Sequence, residues 1–278
     1  MKSEIPILPL ITAWLALFVT PVAAQTFHFI LLGDRTGEAQ PGVYEQVWKE
    51  ATSEDPAFVV TVGDTIQGLD DGSAEGEWQA VQQILKPYHR FPFYPAAGNH
   101  DIWSKTSEGL FRKYAVHEPH YSFDYKQAHF TILDNSRAEQ FSAEELAFLE
   151  KDLQAHATQP VKFIVSHRPS WILQVVLGNP AFPLHQLAAR YHVKYVIAGH
   201  IHQMLRFELD GVTYLSMASS GGHLRENKTY ERGWFFQHTL ARVRGNQVDL
   251  EIKELERPYG NRRVTKPGDW GAAGLLRR

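Results

Sequence analysis

Beyond the first two dozen residues, short apolar runs alternate with stretches whose apolar positions recur at helical spacing. Phe27–Leu32, Phe58–Val62, Phe93–Ala97, Val161–Val165 and Tyr195–Ala198 are too short for helices. A run that is apolar at nearly every position predicts a strand buried on both faces. Between them, Val43, Val47 and Ala51 share one face of a helix expected over 43–51, and Trp78, Val81, Ile84 and Leu85 one face of another over 78–85. Leu110–Tyr114 reads as a helical turn. Ser142 with Glu145 is the signature of a capping box before a helix over 146–153, and 184–191 is helical again.

The remaining pattern is antiparallel. Tyr121–Tyr125 and His129–Leu133 form one expected hairpin, and Leu205–Leu209 turns at Asp210-Gly211 into Val212–Leu215. Phe235–Arg244 pairs with Val248–Lys253 through Gly245-Asn246. Strands alternating with helices and then hairpins predict an α/β architecture with mixed sheets. Nothing in residues 25–256 resembles a linker, a repeat or a domain boundary. Residues 257–278 are rich in Gly, Pro and Arg and are expected to be a loosely ordered, solvated tail.

Residues 1–24 change the picture at the N-terminus. Lys2, the apolar stretch from Ile5 to Val19 and the small residues of Thr20-Pro21-Val22-Ala23-Ala24 read as a secretory signal peptide cleaved after Ala24. The stretch is short and broken by Pro6 and Pro9, a poor candidate for a spanning helix. An exported protein, periplasmic or secreted, with no stable membrane span after cleavage is expected. A formal net charge of −3 and no strongly basic stretch in the body argue against a nucleic-acid-binding module. The short basic run at Arg262, Arg263 and Lys266, with Arg277 and Arg278, reads as solvated tail. The chain has no cysteine, which excludes disulfides, thiolate metal sites and cysteine nucleophiles. Metal ligands would have to come from its 14 histidines, its carboxylates and its amides.

The informative feature is where such residues fall. Each of the five strand-like runs ends in potential ligands: Gly33-Asp34-Arg35-Thr36-Gly37, Gly63-Asp64-Thr65, Gly98-Asn99-His100-Asp101, Ser166-His167-Arg168-Pro169 and Gly199-His200-Ile201-His202. Open α/β sheets bind ligands beyond the carboxyl ends of their strands. If those ends are neighbours, the side chains converge, and carboxylates in one place need cations to stay ionised together. Oxygen and imidazole donors suit manganese, iron or zinc. Singly, a Gly-Asp after a strand is usually a turn and a lone His a satisfied polar residue; His-x-His and Asn-His-Asp at successive strand ends are not explained so.

These blocks resemble the five signature blocks of the calcineurin-like metallophosphoesterases, in the family's order from residue 34 to residue 202. The resemblance implies a four-layer sandwich of two mixed β-sheets flanked by helices, with a dinuclear metal site at the strand ends. It implies that Asp34 and His202 hold a first metal ion, that Asp64 bridges, and that Asn99, His167 and His200 complete the second. A hydroxide between the ions would attack the phosphorus of a phosphate ester. His100 would steady a phosphoryl oxygen or protonate the leaving alkoxide, with Asp101 beside it to orient the ring.

One block departs from the pattern. Most of the family has Asp-x-His first, but here Thr36 stands at the His position. Purple acid phosphatases lack that His too and supply a Tyr three residues after the bridging Asp, where this chain has Gln67. The first ion would then be held by Asp34, Asp64 and His202, with water or Gln67 adding oxygen, and more weakly than the second. Arg35 is a candidate phosphate clamp, with a salt bridge to Asp34 as the alternative, and Arg168 a further candidate for substrate contact. His223, after Ser219-Ser220-Gly221-Gly222, is a candidate to face substrate; His129, His156 and the histidines outside the blocks read as ordinary polar residues. Trp103, Trp171 and Tyr121 line a pocket or pack. The competing function is a degenerate binding protein that keeps the fold and one metal but little turnover. A sugar hydrolase using two carboxylates leaves the histidines unexplained.

Overall fold

The computed structural model describes residues 25–225, 229–271 and 274–276. The expected leader, 1–24, and Arg277 and Arg278 lie outside them. Twelve strands form two six-stranded mixed sheets. The first sheet contains β1 (Thr26–Leu32), β2 (Val59–Thr61), β3 (Phe93–Pro95), β10 (Gln237–Arg244), β11 (Gln247–Glu254) and β12 (Val264–Thr265), in the order β12-β11-β10-β1-β2-β3. The second contains β4 (Tyr121–Tyr125), β5 (Ala128–Ile132), β6 (Val161–Val165), β7 (Tyr195–Ala198), β8 (Leu205–Leu209) and β9 (Val212–Ser216), in the order β4-β5-β6-β7-β9-β8. Their facing sides share one core in which Phe29 lies between Phe58, Phe130 and Phe163, at ring centroid distances of 5.0, 5.1 and 5.4 Å.

Helices close both outer faces, giving the expected four layers. α1 (Val43–Ser53), α2 (Ala74–Leu85) and α3 (Lys105–Ala115) share a core with Ile30, Leu32 and Leu240. α4 (Ala143–Ala155), α5 (Ile172–Val176) and α6 (Pro183–Arg190) share another with Ile164, Val196 and Tyr214. A strand covered on both faces is apolar at nearly every position, which is why β1, β6 and β7 read as apolar runs, broken only by His28 and Lys162. Among the described residues no helix is long and apolar enough to cross a membrane.

Several elements differ from the sequence pattern for local reasons. The helical turn expected at 110–114 is a full helix, α3, because Ser104 caps it: its hydroxyl accepts the Ser107 N–H at 3.0 Å while Ser107 Oγ accepts the Ser104 N–H at 2.8 Å. At α4 only half of the expected box forms. Ser142 Oγ accepts the Glu145 N–H at 3.1 Å, but the Glu145 carboxylate is turned to His120 and to the Asp134 N–H. The C-terminal segment is less loose than expected: β12 pairs with β11, and Leu276 is buried in the core between the sheets.

The register sets up the site. Leu32, Thr61 and Pro95 are abreast at the ends of parallel β1, β2 and β3. In the other sheet Ile132 is abreast of Val165, and Val165 of Ile197. The loops that follow these ends therefore leave the sandwich at the same edge.

Candidate metal centre

The five loops bring all six expected ligands into one connected group. His167 Nε2 lies 3.2 Å from Asp64 Oδ2, 3.0 Å from Asn99 Oδ1 and 3.2 Å from His200 Nδ1. Asp34 Oδ2 accepts the His200 backbone N–H at 2.8 Å and lies 3.4 Å from His202 Nε2. Asp34, Asp64, His167 and His202 are buried, while Asn99 and His200 are partly open.

Backbone geometry supplies this convergence at a cost in strain. Asp64, His200 and His202 all adopt left-handed conformations, at φ of 56°, 69° and 58°, which non-glycine residues seldom take. Two glycines permit the close approach. A Cβ on Gly98 would sit 2.1 Å from Asp64 Oδ1, and one on Gly199 2.2 Å from Asp34 Oδ1.

The imidazoles are oriented as ligands. His167 Nδ1–H donates to the Val62 carbonyl at 2.8 Å and His202 Nδ1–H to the His223 carbonyl at 2.7 Å, so each turns its Nε2 to the centre. The His167 Nε2 then faces three acceptors at once, and Asp34 Oδ1 is buried with no hydrogen-bond partner. Acceptors gathered like this are reconciled only by a cation, either a proton or a metal ion. A proton does so at His167. Burial pushes its pKa down, but Asp64 outweighs that and raises it to about 9. Burial likewise opposes the charge on Asp64, yet His167 and then His100 hold its carboxyl at about 2. Burial, with the charges of His167 and Arg168, drives His200 down to about 4 and keeps it neutral, the form that ligates. The donor set thus fits divalent ions: Asp64, His167 and His200 could hold one, with Asn99 Oδ1 beside His167, and Asp34 and His202 offer further donors next to them.

The two departures from the family pattern meet each other. Thr36 Oγ1 donates to Gln67 Oε1 at 2.6 Å, and the Glu38 N–H reaches the same oxygen at 3.1 Å. Gln67 Oε1 is therefore occupied by its own neighbours and does not serve as the replacement ligand expected of it.

Three other candidates make contacts that the sequence does not show. Asp101 does not orient the His100 ring. Its oxygens accept the N–H groups of Thr65, Ile66 and Gly98 at 2.8, 3.2 and 2.9 Å, clamping the second loop to the third. Burial and the neighbouring Asp64 charge raise its carboxyl to about 6 in spite of those donors. The His100 ring is set instead by the Gln67 carbonyl, 2.5 Å from its Nδ1, while its backbone N–H donates to Asp64 Oδ1 at 2.9 Å. Arg35 forms no salt bridge to Asp34, the alternative to its role as a phosphate clamp. Its Nη1 donates to the Thr65 carbonyl at 3.0 Å, its Nε is buried without a partner, and the guanidinium lies 5.7 Å from the Tyr44 ring centroid. Arg168 is paired with Glu139 at 2.5 Å and has its Nη1 3.3 Å from His200 Nε2. Trp171 is fully buried under the second sheet, and Tyr121 donates to the Pro95 carbonyl at 2.9 Å; both pack.

Sequence reasoning missed two supports. Asn135 accepts the N–H groups of His167 and Arg168 at 3.1 and 3.0 Å and donates to the Arg168 carbonyl at 2.8 Å, fixing the fourth loop. The Ser219–Gly222 turn grips the first: Ser220 and Gly222 N–H donate to the Asp34 carbonyl at 2.9 and 3.2 Å. The only available signal was position, since Asn135 also follows a strand end.

Comparison with known proteins agrees with this geometry. The family model for calcineurin-like phosphoesterases matches residues 27–204. The 3',5'-cyclic adenosine monophosphate phosphodiesterase CpdA of Escherichia coli (strain K12) is 26% identical over 203 residues, covering 69% of this chain and 70% of that protein. In fold, the chain is similar to a purple acid phosphatase, PPD1, from yellow lupin seeds (TM-score 0.66, 17% identity, 87% of this chain and 53% of that one). It thus spans about half of the lupin enzyme. It is also similar to GAP50, the anchor in the inner membrane complex of Plasmodium (TM-score 0.62, 15% identity, 91% of this chain and 89% of that one). With the family's blocks gathered at one sandwich edge and its model spanning most of the described fold, this chain belongs to the calcineurin-like phosphoesterases and is a metallophosphoesterase.

Proposed function

We propose that this protein hydrolyses phosphodiesters at a dinuclear centre held by Asp34, Asp64, Asn99, His167, His200 and His202. The observation that carries this reading is the His167 Nε2 surrounded by three acceptors, a geometry built for a cation. Manganese, iron or zinc matches the donor set. Such a pair of ions supplies Lewis acidity, acidifying an attacking water and neutralising charge on the phosphoryl oxygens. Asp64 turns one oxygen toward His167 and gives the other to the His100 N–H, and its charge also reaches His202. His100, with Nδ1 committed to the Gln67 carbonyl, offers Nε2 to protonate the leaving alkoxide.

A diester is favoured over a monoester by charge. A terminal phosphate is a dianion and calls for a cationic clamp, and Arg168, beside His200, is already paired with Glu139. The cyclic-nucleotide diesterase relative points the same way. Bis(p-nitrophenyl) phosphate is expected to be turned over faster than p-nitrophenyl phosphate by the metal-loaded protein. Faster turnover of the monoester would overturn the diester preference, and no turnover of either would favour the binding-protein reading, which the Thr36–Gln67 pairing in the first site supports.

We also propose export with removal of residues 1–24, on the leader pattern of that segment and the start of β1 at Thr26. N-terminal sequencing of protein recovered outside the cytoplasm is expected to begin at Gln25; a chain beginning at Met1 would contradict it.

A further inference from the structure

The sequence pattern gives His129 and His156 no special role, yet they meet in a polar island between the second sheet and its helices. Strand alternation sends Phe123, Phe130 and Ile132 into the core between the sheets. Ser122, Asp124, His129 and Thr131 then face outward, toward the C-terminal end of α4, and His129 and Thr131 are completely buried there. Asp152 of α4 accepts the Thr131 hydroxyl at 2.6 Å on one oxygen and the Ser122 hydroxyl at 2.8 Å on the other. The oxygen facing Thr131 also lies 2.8 Å from His129 Nε2. An acceptor so placed holds a proton on Nε2, while Nδ1 faces a second carboxylate, so that a cation bound at Asp124 would take the place of the Nδ1 proton. His156 repeats the arrangement. Its Nδ1–H donates to the Asp152 carbonyl at 2.8 Å, leaving Nε2 bare.

His129 Nδ1 and His156 Nε2 face the same carboxylate. His129 Nδ1 is 2.8 Å from Asp124 Oδ1, and His156 Nε2 is 3.7 Å from Asp124 Oδ2. The imidazole rings lie side by side, 3.8 Å apart and 13° from parallel. One ligand atom from each of the three residues falls within 4.8 Å of the others. We propose that Asp124, His129 and His156 form a separate site for a divalent cation of the zinc class, tying the β4–β5 hairpin to the end of α4.

Three observations favour a metal over a simple ion pair. A ligating histidine normally gives its other N–H to a carboxylate or a backbone carbonyl, and here one does each. Ligand bonds of roughly 2.0–2.2 Å place tetrahedral donors somewhat over 3 Å apart, so modest side-chain rotations complete the set. The Asp124 side chain is 46% exposed, which leaves a path for entry and a position for water. The cluster lies at the start of β5, whereas the catalytic loops follow strand ends, so the two sites are at opposite ends of the sheet.

The test is zinc content and location in the full mature protein, chelated and then equilibrated with zinc alone. His156→Gln and Asp124→Asn are each expected to carry about one zinc fewer per chain than wild type, with diester turnover retained and a smaller rise in thermal midpoint on adding zinc. Equal zinc content in wild type and both variants would overturn the proposal and leave a proton-bridged ion-pair network. Anomalous scattering from zinc-equilibrated wild-type crystals reads the site without any variant. A peak among Asp124, His129 and His156 is expected, and its absence at full occupancy of the catalytic centre would equally overturn it.

Discussion

Asp64→Asn is expected to lower turnover by about 10³-fold or more and to strip the centre of metal. The magnitude follows from the several kcal/mol of charge stabilisation that bound cations supply, at ~1.4 kcal/mol per tenfold in rate. Asp64 is the carboxylate proposed to serve both positions, and an amide there keeps an oxygen for the His100 N–H while losing the charge that faces His167. A pH signature accompanies the loss. In chelated wild type the pair behaves as a buried ion pair. His167, held at about 9 against an ordinary 6.5, contributes stability that is complete below 6.5 and disappears as pH rises through 9. Asp64, held at about 2 against 3.8, contributes stability present above 3.8 and lost as pH falls through 2. The thermal midpoint of chelated wild type should therefore decline between pH 6.5 and 9, and that decline should flatten in Asp64→Asn. Thermal scans with metal analysis check both parts. Wild-type metal content and turnover in the variant would contradict the role given to Asp64.

His100→Gln is expected to lose about 10²–10⁴-fold in turnover of alkyl phosphodiesters while keeping its metal. General-acid assistance matters most for a poor leaving group. The loss should accordingly be much smaller with p-nitrophenyl esters, whose phenolate departs without a proton. Steady-state rates on the two ester types, with metal content measured alongside, separate this role from a structural one. Equal losses on both esters, or loss of metal, would show that the His100 ring acts by holding the loop through its Nδ1 contact with the Gln67 carbonyl.

The convergence of the six proposed ligands was legible because metal binding constrains residue type, order and position together. Each ligand follows an apolar run, and strands of a sheet covered on both faces announce themselves as such runs. What the sequence hid depends on approach across long separations. Asp101 looks like a partner for His100 in the chain, yet its contacts are with Thr65 and Ile66, reached only when the second and third loops fold together. Gln67 looked available as a ligand until Thr36 was seen to occupy its oxygen. His129 and His156 come from a strand and a helix end, and nothing in their spacing indicates that Asp152 fixes both. α5 escaped notice because five residues carry too little periodicity, and Leu173, Val176 and Leu177 stay exposed around it. β12 is a pair of residues whose strand character comes only from β11.

Diffraction from metal-equilibrated crystals, recorded at the absorption edge of the metal supplied, gives the most direct view of the proposed centre. Two anomalous peaks about 3.5–4 Å apart are expected. One should be ringed by Asn99, His167 and His200, the other should lie against Asp34 and His202, and Asp64 should stand between them. Full-occupancy peaks elsewhere with none at these residues would contradict the dinuclear account.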